Sequence, residues 1–71
     1  MITADDVENW FTYHSPTPEQ IPSYTAIREA AKEFVAVLLR KCPDSADRTA
    51  AIRKVREAVM TANASIACGG K

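Results

Sequence analysis

The chain has 71 residues and forms one domain at most. A domain of this size buries only about 60% of the surface its unfolded chain exposes, so it needs a staple from a disulfide, a metal or a partner subunit. Nine basic and nine acidic residues cancel, which argues against a general coat for DNA or RNA polymers but leaves room for a small anionic ligand met by a local cluster.

The first element expected is a short helix over about residues 4–13. Thr3 can cap it, and Asp5, Asp6 and Glu8 fall in its early turns, where carboxylates complement the helix dipole. Val7, Trp10 and Phe11 follow at i, i+3 and i+4 and make one apolar face, suited to gluing this helix to the rest of the chain. The helix ends near Tyr13 or His14, because the residue before Pro16 is pushed out of helical geometry.

The stretch from Trp10 to Pro18 holds three of the five aromatic residues, the only histidine and two of the four prolines. Tyr13 lies off the apolar face, beside His14 and just before a proline-fixed turn. A ring held there can stack on a nucleobase; it can equally serve a core or an interface.

A long helix is expected over about residues 18–41. Thr17 can cap it, Pro18 suits its first position and Gln20 completes a capping box. Pro22 should bend or loosen that first turn, with Ser23 as a second candidate cap. Tyr24, Ile27, Ala31, Phe34 and Leu38 follow 3-4-3-4 spacing and form a seam. Arg28, Glu29, Lys32, Glu33 and Arg40 occupy other faces. Arg40 and Lys41 favour the helix C-terminus and Pro43 stops it.

Pro43-Asp44-Ser45 makes a tight connection, with Asp44 or Ser45 as the next cap. The last helix is expected over about residues 46–67, where Ile52, Val55, Val59, Ala62 and Ile66 repeat the seam spacing. Gly69 and Gly70 end it. The fold class is therefore all-α: a short helix, then an antiparallel hairpin of two long helices.

That hairpin decides which staple is available. Cys42 lies at its turn and Cys68 at its far end, roughly 35 Å apart for twenty-five helical residues at 1.5 Å each. A disulfide needs Cα atoms within about 7 Å, so the cysteines read as buried thiols of a reducing compartment. One histidine and two cysteines make no convincing metal set. Oligomerisation remains as the expected staple.

No apolar run approaches the roughly 18 residues of a membrane span, and Met1-Ile2-Thr3-Ala4-Asp5-Asp6 lacks the basic start of a secretory leader. A soluble, cytosolic chain is expected, with no cofactor, no metal and no membrane contact. Catalysis would have to pair His14 with Ser15, Ser23 or a cysteine. Nothing in the sequence supplies a third group to orient the ring, so no enzyme is expected. Phosphate binding is the better chemistry, through Arg28 near the start of the long helix or through Arg53 and Arg56, which share a flank of the last helix with Asn63. The plainer reading pairs Arg28 and Lys32 with Glu29 and Glu33, and Arg53 with Glu57, as solvated faces.

Tyr13-His14-x-Pro16 with its capped turn, Ile27-Arg28-Glu29-Ala30-Ala31-Lys32, and the ending Arg56-Glu57-Ala58-Val59-Met60-x-Ala62-Asn63-Ala64-x-Ile66-Ala67 together resemble a phage anti-CBASS family of cyclic-oligonucleotide sponges. The resemblance spans nearly the whole chain. It implies a hexamer of helical hairpins in the cytoplasm of the infected bacterial host. It implies cyclic dinucleotides such as cGAMP bound intact in pockets shared by two protomers, through Tyr13, His14 and Arg28. It also implies cyclic trinucleotides where three protomers meet, through Arg56 or Arg53 assisted by Asn63 or Ser65. In that family the residue matching Arg28 is commonly lysine; arginine keeps the charge with a different donor geometry. The alternative is a small helical protein–protein adaptor or structural oligomer with no nucleotide ligand.

Overall fold

The computed structural model describes residues 1–71 as three helices and no strand: α1 (Ala4–Trp10), α2 (Ile21–Lys41) and α3 (Ala46–Ala67). The all-α hairpin is the observed architecture, with α2 and α3 packed on one another.

The helix starts follow from short polar side chains. At α1 the Asp6 N–H donates to Thr3 Oγ1 (3.1 Å) and the Thr3 N–H donates to the Asp6 carboxylate (2.9 Å), so two otherwise orphaned donors are satisfied reciprocally. At α3 the Arg48 N–H donates to Ser45 Oγ at 3.1 Å, which makes Ser45 the cap. Asp44 is used instead by the Arg48 guanidinium, at 3.0 Å.

The chain ends α1 at Trp10, three residues before the expected Tyr13. The Glu8 carbonyl, which a continuing helix would offer to the Thr12 N–H, accepts the Thr12 hydroxyl instead. The Asn9 carbonyl, next in the ladder, accepts from His14 Nε2 at 2.7 Å. Both acceptors are taken by side chains, so the backbone leaves the helix.

At the start of α2 the Thr17–Gln20 capping box forms: the Thr17 N–H donates to Gln20 Oε1 (3.0 Å) and the Gln20 N–H to Thr17 Oγ1 (3.3 Å). It closes a turn over 18–20, and the helix proper begins at Ile21. Pro22 has no N–H to give the Pro18 carbonyl, so the ladder restarts with Ser23 and Tyr24 both donating to the Gln20 carbonyl (3.0 and 3.1 Å). Gln20 occupies the cap position, not Ser23. Its Nε2 reaches across to the Ile66 carbonyl at 3.3 Å and pins the start of α2 to the end of α3.

α3 stops in a Schellman turn. The Gly70 N–H donates to the Ser65 carbonyl (2.8 Å) and the Gly69 N–H to the Ile66 carbonyl (3.2 Å). Gly69 sits at φ 68°, a left-handed conformation that costs L-residues roughly 1–2 kcal/mol. The turn presents main-chain oxygens to α1: Asn9 Nδ2 donates to the Cys68 carbonyl and Trp10 Nε1 to the Lys71 carbonyl, each at 3.2 Å. Trp10 thus fastens α1 through its indole N–H as well as its ring. Phe11 does not share that role, since 83% of it is exposed.

The seam on α3 is as its spacing predicts: Ile52, Val55, Val59, Ala62 and Ile66 are all half-buried. On α2 the seam is Tyr24, Ile27, Ala31, Val35 and Leu38, and Phe34 points outward at 54% exposure. Residues 34 and 35 lie i+3 and i+4 from Ala31, so spacing fits either; packing against α3 selects the smaller β-branched one. Cys42 and Cys68 are both free thiols, each half-buried.

No residue of the chain is fully buried. The molecule is a slab of 44 × 30 × 15 Å, little thicker than one helix with its side chains, which measures about 10–12 Å. Its radius of gyration is 15.2 Å, against about 11 Å for a globular chain of this length. Its accessible surface is 5716 Å², against about 4,400 Å² for a folded monomer of 7.8 kDa. A single layer leaves apolar side chains open on both sides, including Phe34, Val37, Leu39 and Met60.

Candidate functional site

The hairpin has two broad faces because its two helices lie side by side. On one, Phe34 and Leu38 of α2 and Ala51, Lys54, Val55 and Ala58 of α3 border a shallow, almost wholly apolar groove. On the other, the floor is Ala31, Val35, Ile52, Val55 and Val59, edged by Met60, and the rim carries Arg28, Lys32 and Arg56. This second groove holds about 340 Å³, at the low end of the roughly 300–1,000 Å³ typical of small-molecule sites. Its make-up, an apolar floor with cations above it, suits an anion that also carries flat apolar rings.

The positions of Arg28 and Lys32 follow from helix geometry, since residues four apart stand one above the other on the same side of α2. Arg56 faces them from α3 across the seam. The Arg56 side chain also borders a neighbouring groove formed with Leu39, Arg48, Thr49, Ile52 and Arg53. One face of the hairpin therefore gathers Arg28, Lys32, Arg53 and Arg56.

Ion pairing leaves most of this charge available. The two salt bridges of the chain are Arg48–Asp44 at 3.0 Å and Lys32–Glu29 at 3.4 Å. Of the solvated pairs expected, Lys32 with Glu29 forms, whereas Arg28 finds neither Glu29 nor Glu33 and Arg53 does not find Glu57 within bridging distance. All nine basic residues lie from Arg28 onward, while Asp5, Asp6, Glu8 and Glu19 precede it. A chain of zero net charge thus carries a positive face on its hairpin and a negative first helix.

The remaining candidate residues lie elsewhere. Tyr13 follows α1 with 84% of its surface exposed, makes no hydrogen bond and borders no groove of the single chain. His14 is half-buried, and its Nε2–H is committed to the Asn9 carbonyl. That bond fixes the loop from which Tyr13 projects. Within one chain Tyr13 and Arg28 do not share a cavity. The Tyr13 loop sits at the open end of the hairpin beside Cys68, and the Arg28–Arg56 groove lies near its middle.

Of the four residues expected at a second site, the chain brings Arg53 and Arg56 together. Ser65 is spent on the Ala62 carbonyl at 2.7 Å and faces the Trp10–Lys71 side of α3. Asn63 borders neither basic groove, and its side-chain oxygen is buried without a hydrogen-bond partner. Two residues take roles that their sequence context does not assign, Lys32 being expected only as a partner of Glu29 or Glu33. Asn9 holds α1 to the end of α3, and its only signal was an amide inside a seven-residue helix. Lys32 joins Arg28 on the groove rim, and its i+4 spacing was the available signal.

No group of three or more His, Cys, Asp or Glu residues gathers where it could hold a metal ion, and no helix is long and apolar enough to cross a membrane.

A family model described as Acb2/Tad1, hairpin domain, matches residues 3–67, from the Thr3 cap to the last residue of α3. No curated protein and no solved structure matches the chain.

Proposed function

The chain belongs to the Acb2/Tad1 hairpin family of anti-CBASS cyclic-oligonucleotide sponges, and from that premise we propose that it binds cyclic dinucleotides such as cGAMP and withholds them, uncleaved, from the host's effector. The family acts by binding rather than by catalysis. In this reading the protein works in the cytoplasm of an infected bacterium, without a cofactor, as a hexamer of hairpins.

The observation that carries the proposal is the family match; Tyr13 and Arg28 border no common groove in the single chain, so the reading requires them to meet across an interface. A cyclic dinucleotide has two bases, two phosphates and approximate two-fold symmetry. A two-fold interface supplies two Tyr13 rings and two Arg28 guanidinium groups in matching places. Each ring stacks on a base, each guanidinium forks a phosphate, and His14 keeps the Tyr13 loop in place.

Assembly also accounts for the exposed surface. The excess of about 1,300 Å² over a folded monomer of this mass exceeds the roughly 800 Å² that one partner contributes to a standard interface. The Phe34 face, apolar and poor in charge, is the natural contact between hairpins. The Arg53–Arg56 side then lies where three protomers can offer one arginine each to the three phosphates of a cyclic trinucleotide. Asn63 and Ser65 assist there only if assembly brings them close.

The test is a calorimetric titration with cGAMP and, separately, with a cyclic triadenylate, alongside the mass of the protein in solution. Saturable binding of cGAMP by a multimer is the expected result. A multimer that binds neither ligand would instead favour a helical protein–protein adaptor.

A further inference from the structure

We infer that Lys32 is a further phosphate-binding residue of the cyclic dinucleotide site, acting with Arg28 on the same phosphodiester. The inference rests on the sponge reading and adds to it a residue that neither the resemblance nor the family match assigns.

Three observations carry it. Arg28 and Lys32 rim one groove, from positions four apart on α2. At that spacing Cβ atoms are about 5–6 Å apart, so two long cationic side chains converge on a single anion. The groove floor beneath them is apolar, so the Lys32 stem lies along it while the ammonium stays at the water-facing rim. Finally, the only carboxylate that holds Lys32 is Glu29, at 3.4 Å. The side chains of that pair are 67% and 60% exposed, and contacts of this kind hold weakly against water. Lys32 therefore exchanges Glu29 for an incoming phosphate at little cost.

The two cations differ in what they supply. Arg28 offers a planar fork that fixes the orientation of a phosphate. Lys32 offers a compact point charge on a flexible stem, which follows the phosphate without dictating its angle. A two-fold pocket that holds Arg28 from both protomers brings both copies of Lys32 as well. Counting α2 alone, four cations then face two phosphodiesters, with Arg56 of α3 on the same rim, enough to attract a dianion to a chain with no net charge.

The test compares Lys32→Met, Lys32→Arg and Glu29→Gln with the wild-type protein by titration of cGAMP at low and at high salt. Methionine keeps the apolar stem and removes only the charge. Two copies per ligand, each at the strength of an exposed ion pair, give a weakening of roughly 2- to 30-fold for Lys32→Met. That variant also loses part of the salt dependence of binding, with mass and melting temperature unchanged. Lys32→Arg restores the affinity, and Glu29→Gln binds as well as or better than wild type.

If Lys32→Met binds like wild type while Arg28→Ala loses the ligand, the sponge reading stands and this inference fails. If Lys32→Arg is as weak as Lys32→Met, or the salt dependence of Lys32→Met is unchanged, the effect is not one of charge and the inference fails equally. Absence of binding by the wild-type protein overturns the sponge reading, and this inference with it.

Discussion

Replacing Tyr13 by alanine separates a ligand-facing ring from a structural one. The Tyr13 side chain is 84% exposed, borders no groove and makes no hydrogen bond, so its loss changes the folding free energy by no more than about 0.5 kcal/mol. Stacking of a base on an aromatic ring contributes roughly 1–3 kcal/mol per base. A two-fold pocket loses both rings at once, so the affinity for cGAMP falls by roughly 2–6 kcal/mol, from about 30-fold to beyond 10,000-fold. Tyr13→Phe, which keeps the ring, retains most of the affinity. Calorimetric titration reads the binding, and thermal melting and sedimentation read the fold and the mass. Two results refute the reasoning. Binding by Tyr13→Ala within threefold of wild type removes the ring from the site. A Tyr13→Ala protein that sediments as a monomer makes the ring an interface residue only.

Other expectations follow from the same structure. Phe34→Asp sets a charge on the apolar face and splits the assembly, while the helical content of the separated chain stays as it was; circular dichroism and sedimentation read the two. Asn9→Ala removes the bond to the Cys68 carbonyl and costs about 1 kcal/mol, seen as faster hydrogen exchange over the amides of α1 than over α2. Arg56→Ala weakens a cyclic trinucleotide more than cGAMP; equal loss of both would mean that the two ligands share one site, as the common groove of Arg28 and Arg56 permits.

Much of the fold was written in single residues. Thr3 with Asp6, Thr17 with Gln20, Ser45 and Gly69 each mark a helix boundary through a local bond, and Pro43 marks one through the N–H it lacks, so the sequence is enough to read them. The end of α1 was not legible, because it depends on which carbonyls the side chains of Thr12 and His14 take. The choice between Phe34 and Val35 needed the partner helix, since both satisfy the spacing. That Trp10 anchors α1 was legible from the apolar face, but the hydrogen-bond acceptors of α1 were not: they are main-chain oxygens at and just after the Schellman turn, which have no signature in the sequence.

The candidate site divides in the same way. Arg28 and Lys32 share a side of α2 by spacing alone, and that much is local. Their meeting with Arg56 requires the register of the hairpin, set at one end by Gln20 on Ile66 and at the other by the short Pro43–Ser45 connection. That Tyr13 and Arg28 border no common groove within one chain lies beyond any local pattern, since it depends on how the loop after α1 is tied down by His14.

Recovery of the ligand after binding tests the central claim most directly. The protein is loaded with cGAMP, freed of unbound nucleotide, then denatured by heat, and the released material is resolved by chromatography with mass detection. The sponge account requires cGAMP to return intact and in stoichiometric amount. Release of linear dinucleotide or mononucleotides would contradict it and make the protein an enzyme.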